Sequence, residues 1–381
     1  MKRFFMSVAV ASMFVVGSCG PEYEKPAEGS QTGFALSFFK TVDKTSKPGE
    51  NIVVSPYSAG VALSMVAEGA EGQTRVEFDN ALNGCLFGAE DLGSNDTVIV
   101  KSANSVWVTD NFSLRNRYVS LLEKDFDAFI TTLNFADPAT VKAINNWCSE
   151  NTNGKIAEII DRISPSTVMM LINALYFNAP WEEAFLDRNT TDGVFHGYSG
   201  DVQVPMMAKT ARFNYAEYQG CQLVELPYQG ERYAMYVALP AAGMGVDKMI
   251  SYINESLYTQ AMATMSPAKV RFTMPKVKLE TSMVLNKTLQ EMGIRTAFTS
   301  AADFKGIAEM GPLVLDQVKQ KCYIEVSEKG TEAAAVTSVG VRLTSARPEN
   351  VVTMNVDRPY LFCISDRTNG NILFAGKVVT L

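Results

Sequence analysis

Histidine is almost absent from this chain of 381 residues, which has a single one, His196. A Ser-His-Asp or Cys-His catalytic site would have to use this residue, and zinc sites usually need more nitrogen or sulfur ligands. His196 lies in the strand-like stretch Val194–Tyr198, which favours a structural role. The sequence also lacks a G-x-S-x-G elbow, a P-loop and a dinucleotide-binding fingerprint. These absences argue against an enzyme, and we expect no metal site and no cofactor.

Cysteine pairs at metal-binding spacing are missing as well. After residue 19 the cysteines are far apart, at positions 85, 148, 221, 322 and 363. We interpret them as small hydrophobic side chains in core or edge positions, because a chain of this length does not need disulfides. A net charge of −7 without a basic segment indicates no nucleic-acid partner. No linker or repeat follows residue 30, so one large domain over residues 31–381 is expected.

The N-terminus has the pattern of a targeting segment. Two basic residues precede an apolar run over residues 4–16, which is too short for a membrane-spanning helix. We predict a secretory signal peptide over residues 1–18. Val16–Cys19 resembles a bacterial lipoprotein cleavage box, with Cys19 as the lipidated first residue of the mature protein. The alternative is an ordinary signal peptide with an incidental cysteine.

A short polar segment follows the predicted cleavage point. Residues 19–30 are rich in Pro, Glu, Gly and Ser, which is typical of a flexible tether. Glu22 and Glu24 resemble the acidic tract that some bacterial lipoproteins use for surface display. We therefore expect secretion across the inner membrane and lipid anchoring in the bacterial cell envelope, with the outer-membrane surface as one location. The lipid would be the only contact with the membrane.

Apolar periodicity predicts an α+β chain, with helices early and strands late and intermixed. Helices are predicted at residues 31–45, 56–84, 118–126, 138–147, 246–264 and 283–292. Extended segments are predicted at residues 97–109, 166–178, 193–240, 268–279, 313–327 and 350–380.

Residues 328–347 are the most informative part of the chain. Side chains alternate between the faces of a strand, and one face would be small or β-branched and uncharged: Thr331, Ala333, Ala335, Thr337, Val339 and Val341. Such a face suits a buried central strand, yet Gly330 allows a bend and Pro348 closes a polar end. An Ala-rich helix is the alternative, which the β-branched residues after Ala335 disfavour. The segment is therefore compatible both with an exposed loop and with a strand inside a sheet.

The stretch Gly330–Ala335 resembles the hinge of the inhibitory serpins, protease inhibitors that work by loop insertion. Further stretches match the family in order from about residue 31 to the end: 51–58, 68–74, 172–177 with Trp181, 204–207, 225–228, 302–307, 357–362 and 370–378. Each stretch is short, and their order along the chain carries the resemblance.

The resemblance implies the serpin fold: a large central β-sheet, further sheets, eight or nine helices and an exposed reactive loop over residues 329–350. It implies a monomeric inhibitor that forms a covalent complex with its target protease. The protease attacks the loop and forms an acyl-enzyme, and the cut loop then inserts into the central sheet.

The hinge would consist of Glu328, Gly330, Thr331, Glu332, Ala333, Ala334 and Ala335. Thr331 would leave solvent first, and Glu332 would stay on the opposite face. The alternative is a non-inhibitory binding protein with the serpin fold. Such a member would be expected to carry a charged, bulky or proline-containing hinge, which this chain lacks.

Counting from the hinge as the family does places the reactive bond between Thr344 and Ser345. Leu343 is one register away, and either Thr344 or Leu343 suggests an elastase-like or subtilisin-like target. Arg342 and Arg347 would suit trypsin-like proteases, and a papain-like target stays open.

Sheet opening in the family involves polar residues that match Ser55, Ser58 and Asn173, with Trp181 at the top of the sheet. The family usually has a histidine where this chain has Gln320. Glutamine donates and accepts hydrogen bonds, so opening would survive without a pH-dependent contribution from this position. Residues 86–98 contain three acidic residues and no lysine or arginine, so we expect no heparin-like cofactor.

Overall fold

The computed structural model describes residues 29–309, 313–332 and 350–381. The predicted signal peptide, Cys19 and residues 333–349 lie outside the described residues. Within them are eight α-helices: α1 Gln31–Thr45, α2 Pro56–Ala67, α3 Gly72–Ala81, α4 Asn116–Phe126, α5 Pro138–Asn151, α6 Val246–Tyr252, α7 Glu255–Thr264 and α8 Asn286–Glu291. None of the helices in these ranges is long and apolar enough to cross a membrane.

Fifteen strands accompany the helices in the described residues: β1 Ile52–Val54, β2 Ile99–Thr109, β3 Ala128–Leu133, β4 Met169–Pro180, β5 Thr191–Gly197, β6 Gly200–Tyr218, β7 Cys221–Pro227, β8 Tyr233–Pro240, β9 Ser266–Pro275, β10 Val277–Val284, β11 Lys319–Ser327, β12 Gly330–Thr331, β13 Val351–Asn355, β14 Tyr360–Asp366 and β15 Ile372–Val378.

The strands form two sheets. The nine-stranded sheet has the order β1-β15-β14-β8-β7-β6-β9-β13, with β5 also paired to β6. The six-stranded sheet has the order β10-β11-β12-β4-β2-β3. In the second sheet β12, the shortest strand, is antiparallel to both of its neighbours, β11 and β4. The predicted α+β architecture is therefore confirmed.

Helix α2 joins the two sheets, because it packs against β4 of one sheet and β15 of the other. Eleven of its twelve residues are buried. Its start follows from the sequence: Pro56 occupies the first turn, and the side chain of Ser55 caps the helix by accepting a hydrogen bond from the backbone N–H of Ser58. The same short sequence therefore fixes where strand β1 ends and where the central helix begins.

Several predicted elements divide in the structure. The predicted helix 56–84 divides into α2 and α3, and the break lies in the stretch 68–74, which matches the turn between two helices in the family. The predicted helix 246–264 splits into α6 and α7, with Asn254 capping the second through the N–H of Leu257.

Three other boundaries also differ from the predictions. The extended segment 268–279 divides into β9 and β10, and β10 continues to Val284, so α8 starts only at Asn286. The predicted strand 313–327 is a strand only from Lys319. Apolar alternation marks the core-facing side chains well, but pairing with neighbouring strands decides where regular hydrogen bonding begins.

Candidate functional site

The predicted hinge begins inside the six-stranded sheet. Gly330 pairs with Pro180 of β4 and Ser327 of β11, and Thr331 pairs with Ala179 and Val326. The expectation that residues from 329 onward form an exposed loop is therefore wrong for these two positions. The turn at Glu328 and Lys329 directs the chain back along β11, so backbone pairing on both sides holds the first hinge residues in the sheet.

Gly330 is required by this close approach. Its φ is +149°, a conformation that favours glycine, and a Cβ would lie 2.2 Å from the carbonyl oxygen of Ala179. Trp181 seals the turn, since its backbone N–H donates to Lys329 O at 2.9 Å and its indole Nε1 donates to Ser327 O at 2.9 Å. Trp181 therefore lies directly after β4, where it fixes the turn that leads into the hinge.

Thr331 is fully buried and has a specific partner. Its hydroxyl shares a hydrogen bond of 2.6 Å with the hydroxyl of Tyr228. Tyr228 stacks on Trp181 with ring centroids 4.5 Å apart, and its ring edge meets Phe177 at 5.0 Å. Thr331 was predicted to leave solvent first during insertion, but in this structure it already lies in the sheet. The aromatic cluster leaves room for a small side chain, and the hydroxyl satisfies the buried phenol.

Glu328 is a buried acid at the start of the hinge. Its carboxylate accepts a hydrogen bond from Thr190 at 2.8 Å and pairs with Lys276 at 3.0 Å. Burial alone would raise the pKa of Glu328, but backbone and side-chain hydrogen bonds and the Lys276 charge hold it below its ordinary value. Glu328 is therefore a fixed anion that ties the turn to neighbouring parts of the fold.

Glu332 closes the described part of the hinge. Its φ of 55° ends the strand, and its backbone N–H donates to Glu325 O at 2.9 Å. The side chain is 3% exposed and its Oε1 lies 3.8 Å from Lys155 Nζ. The remaining predicted hinge residues, Ala333, Ala334 and Ala335, lie outside the described residues.

The predicted sheet-opening residues form two separate pairs. Gln320 of β11 donates to Ser55 O at 2.8 Å and accepts from Ser55 N–H at 3.1 Å. Ser58 donates to the side-chain oxygen of Asn173 on β4. Asn173 in turn donates to Ser102 Oγ at 3.2 Å. Both pairs contact the start of α2, so one helix end is bonded to β11 on one side and to β4 on the other.

The two strands that flank β12, β4 and β11, border a slot. We define the slot by the facing edges of these strands over the residues that β12 does not pair with, which in β4 are residues 169–178. In the described part of the chain β12 is the strand that joins them, and it covers two residues of β4. The other ten residues of β4 pair along one edge with β2, and none pairs with β11 among the described residues. Both strands are antiparallel to β12 and so run in the same direction.

At the far end of the slot is a cavity of about 960 Å³. Its lining is mixed: Leu63 of α2 and Leu171 of β4 are aliphatic, whereas Asp161, Asn173 and Lys319 are polar or charged. A strand edge above a cavity provides backbone hydrogen-bonding groups and space for side chains. The arrangement could therefore accept an additional strand between β4 and β11.

Other predicted site residues lie outside the described ranges, namely Leu343, Thr344, Ser345, Arg342 and Arg347. His196 is on β5, where its ring nitrogen Nδ1 lies 2.8 Å from Asp201 Oδ1 and its backbone N–H donates to Asp357 O. Cys148 and Cys322 are buried.

Sequence reasoning missed Tyr228, Lys155 and Lys276, which contact the hinge. Tyr228 belongs to one of the family-like stretches, but nothing in its local pattern indicated that it would meet Thr331. Lys155 and Lys276 are far from the hinge in sequence. Tertiary packing brings these side chains to residues 328–332, so no periodicity or short motif could have found them.

Comparison with known proteins agrees with this geometry. The family model for serpins, described as serine protease inhibitor, matches residues 29–381. A protein of Cyanea capillata named serine protease inhibitor is 33% identical over 369 residues, covering 90% of this chain and 96% of that relative. An uncharacterized serpin-like protein of Thermococcus kodakarensis is 33% identical, covering 93% and 86%.

Among solved structures, the native state of tengpin, a thermophilic serpin, matches with a TM-score of 0.84 and 29% identity. The match covers 92% of this chain and 93% of tengpin. The chain therefore belongs to the serpin family, which includes inhibitory relatives, and it has the serpin fold.

Proposed function

We propose that this serpin is a suicide-substrate inhibitor of proteases that traps its target by inserting the reactive loop into the six-stranded sheet. The observation that carries the proposal is the slot between β4 and β11, which β12 has begun to fill with hinge residues Gly330 and Thr331. The hinge sequence continues with Ala333 and Ala335, which are small enough to follow Thr331 into the sheet.

The mechanism follows from covalent chemistry and strand pairing. A target protease attacks the loop, breaks one peptide bond and forms an acyl-enzyme ester or thioester with the new carboxyl end. The cut frees the chain that begins at Gly330, and β12 can then lengthen along both edges of the slot. Roughly a dozen residues at ~3.3 Å each give a strand of about 40 Å. The attached protease would be carried across the inhibitor and deformed before the acyl bond is hydrolysed.

The release of strain stored in the fold would drive insertion. Stored strain that loop insertion releases is a general property of serpins, so that part of the argument comes from the family. For this chain, the supporting features are ten residues of β4 that pair only with β2 in the part of the chain that the structure describes, and a cavity of mixed lining at the end of the slot.

We propose an elastase-like or subtilisin-like target, because Thr344 and Leu343 are the side chains at the expected reactive bond. Trypsin-like cleavage at Arg342 or Arg347 and papain-like targets are the other outcomes of the same experiment. The acyl chemistry is common to these classes, and the side chain before the cut bond distinguishes among them.

The test is incubation with a panel of these proteases followed by denaturing gel electrophoresis and mass spectrometry. We expect a band at the summed mass of the protease and the larger inhibitor fragment, with the smaller fragment beginning at Ser345 for a cut after Thr344. Mixing with catalytically inactive protease is the control and should give no such band. Full cleavage of the loop with recovery of active protease would contradict inhibition.

We also propose that Cys19 carries a lipid that holds the protein in the bacterial cell envelope. The support is the cleavage-box pattern and the polar segment over residues 19–30. Cys19→Ser should move the protein from the membrane fraction of its host to the soluble fraction, because a lipid supplies the membrane affinity. Cys85→Ser is the matched control and should leave fractionation unchanged. Membrane retention of Cys19→Ser would contradict the anchor.

A further inference from the structure

Two acids compete for one lysine beside the hinge. Lys155 Nζ lies 3.8 Å from Glu332 Oε1 and 3.7 Å from Glu325 Oε2. It also lies 4.7 Å from the centroid of the Tyr323 ring, and its ammonium donates to the Tyr323 hydroxyl at 3.5 Å. The lysine comes from the turn after α5, whereas Glu325 and Tyr323 belong to β11. The Lys155 ammonium therefore lies near a carboxylate of β11, Glu325, and near the hinge residue that follows β12, Glu332.

The two acids have unequal environments. Glu325 accepts a short hydrogen bond from Tyr323, and this bond together with Lys155 lowers its pKa against the effect of burial. Glu332 has a nearly buried side chain, and its Oε2 has no hydrogen-bond partner in the part of the chain that the structure describes. The anion of Glu325 is therefore stabilised by its partners, whereas ionisation of the Glu332 side chain costs free energy because it is buried.

The surroundings of Glu332 include charged or titratable groups from each neighbouring element. Tyr176 faces it from β4, and because the Tyr176 hydroxyl accepts hydrogen bonds from Asn153 and Asn178, its own proton is left to interact with the Glu332 carboxylate. On β10, Lys278 lies 5.8 Å from the centroid of the Tyr323 ring, and Glu280 acts on the same phenol. The groups that act on Glu332 itself are Lys155 and Tyr176, which favour the anion, and Glu325, which disfavours it.

We propose that Glu332 makes insertion of the hinge proton-dependent: a protonated Glu332 side chain stays in the sheet beside Lys155, and an ionised one favours release of the hinge. The proposal deepens the proposed function and rests on it for its consequence, since a hinge already in the sheet shortens the insertion that must outrun deacylation. The hinge conformation itself can be measured without any protease.

The direction of the pH effect follows from linkage. Burial raises the pKa of Glu332 from 4.5 to about 7 in the inserted hinge, with Lys155 partly opposing the rise. A released hinge returns the side chain to water, where its pKa is ordinary. The inserted state therefore binds the proton more tightly. The stabilisation of the inserted hinge by this proton is complete below pH 4.5 and is lost as the pH rises through about 7.

Amide hydrogen exchange of the full chain, read by mass spectrometry, tests this directly. The amides of Thr331 and Glu332 are the reporters, because Thr331 is paired in β12 and the Glu332 N–H donates to Glu325 O. After correction for intrinsic exchange rates, we expect protection of these amides to fall at least tenfold from pH 5 to pH 7.5. Protection of β14 and β15 should stay constant over the same range.

Glu332→Gln is the decisive variant, since it keeps the shape and cannot ionise. Its hinge protection should be independent of pH between 5 and 7.5. Lys155→Met keeps an apolar stem and removes the charge that favours the anion, so its protection should drop several-fold at pH 7.5 and little at pH 5. Normal protection of β14 shows that each variant is folded.

Two results would overturn the proposal. The first is hinge protection in the wild type that does not change with pH, and the second is a change that persists in Glu332→Gln. Failure of the protein to trap any protease, with the pH-dependent protection intact, would instead count against the proposed function alone. The two failures are therefore distinguishable.

Discussion

Position 331 needs a side chain that is small enough for a closed aromatic cluster and polar enough to satisfy a phenol. Thr331 meets both needs, because it is fully buried and hydrogen-bonded to Tyr228, which stacks on Trp181. A larger or charged residue would have to displace these rings or leave a charge without water. The neighbouring Gly330 is equally constrained, since its backbone lies against Ala179.

Thr331→Arg should convert the inhibitor into a substrate. A buried arginine without a partner costs several kcal/mol, of order 3–5, so the hinge would leave the sheet and insertion would become slower than deacylation. We expect the loop to be cleaved at a similar rate but the yield of covalent complex on denaturing gels to fall more than tenfold. Thr331→Ser keeps the hydroxyl and is the matched control. Unchanged complex yield in Thr331→Arg would mean that position 331 need not enter the sheet.

At the scale of elements, the start of α2 connects the two strands that border the slot. Gln320 bonds β11 to Ser55, and Asn173 on β4 accepts from Ser58. Separation of β4 and β11 must therefore strain or exchange bonds at one end of one helix. Because a glutamine occupies the position where the family usually has histidine, this connection does not change charge between pH 5 and 8.

Gln320→Ala should destabilise the intact protein by about 1–3 kcal/mol, because it leaves the buried N–H of Ser55 without its partner, whereas the Ser55 carbonyl keeps its bond from Ala59 N–H. The measurement is a thermal or urea unfolding curve of the uncleaved chain. Gln317→Ala makes the same chemical change at an exposed position before β11 and should cost less than ~0.5 kcal/mol. Equal effects of the two substitutions would show that the Gln320 bonds do not hold β11 to α2.

The element boundaries were only partly predictable. The N-caps of α2 and α5 were read correctly, because Ser55 and Asp137 each precede a proline and bond the first turn of their helix. The burial of β12 was not predicted. Its two residues are strand only because β4 and β11 offer partners on both sides, and that juxtaposition is not present in the local sequence.

For the whole molecule, the proposed mechanism requires that the intact fold is not the most stable arrangement of the chain. Among the described residues, ten residues of β4 pair only with β2, and a strand that continues from Thr331 would give them a second neighbour. An uncut loop must still connect β12 with β13, which starts at Val351 in the other sheet. That connection limits how far β12 can lengthen before cleavage.

Cutting the chain between Val341 and Arg347 should therefore raise the melting temperature, although a covalent bond is lost. We expect a rise of tens of degrees, because insertion adds hydrogen bonds on two edges and buries small side chains. Scanning calorimetry of intact and cut protein gives the comparison. The cut Thr331→Arg variant is the control and should show a much smaller rise. A cut wild type that melts at or below the intact protein would exclude insertion.

The sequence by itself determined the family, the α+β class and the chemistry of the hinge, because these depend on residue types at fixed spacing along the chain. Small uncharged side chains at alternate positions from Thr331 are readable without any structure, and so are the single histidine and the caps of α2 and α5. Local rules of strand alternation and helix capping are enough for those inferences.

Only the tertiary structure decided that Gly330 and Thr331 already lie in the sheet, that Tyr228 receives Thr331, and that Lys155 stands between Glu325 and Glu332. These contacts join residues separated by about a hundred positions or more. Whether a strand is paired, and whether an acid is buried beside a cation, depends on what the rest of the fold places next to it. That is why the hinge composition was legible in the sequence and its position in the sheet was not.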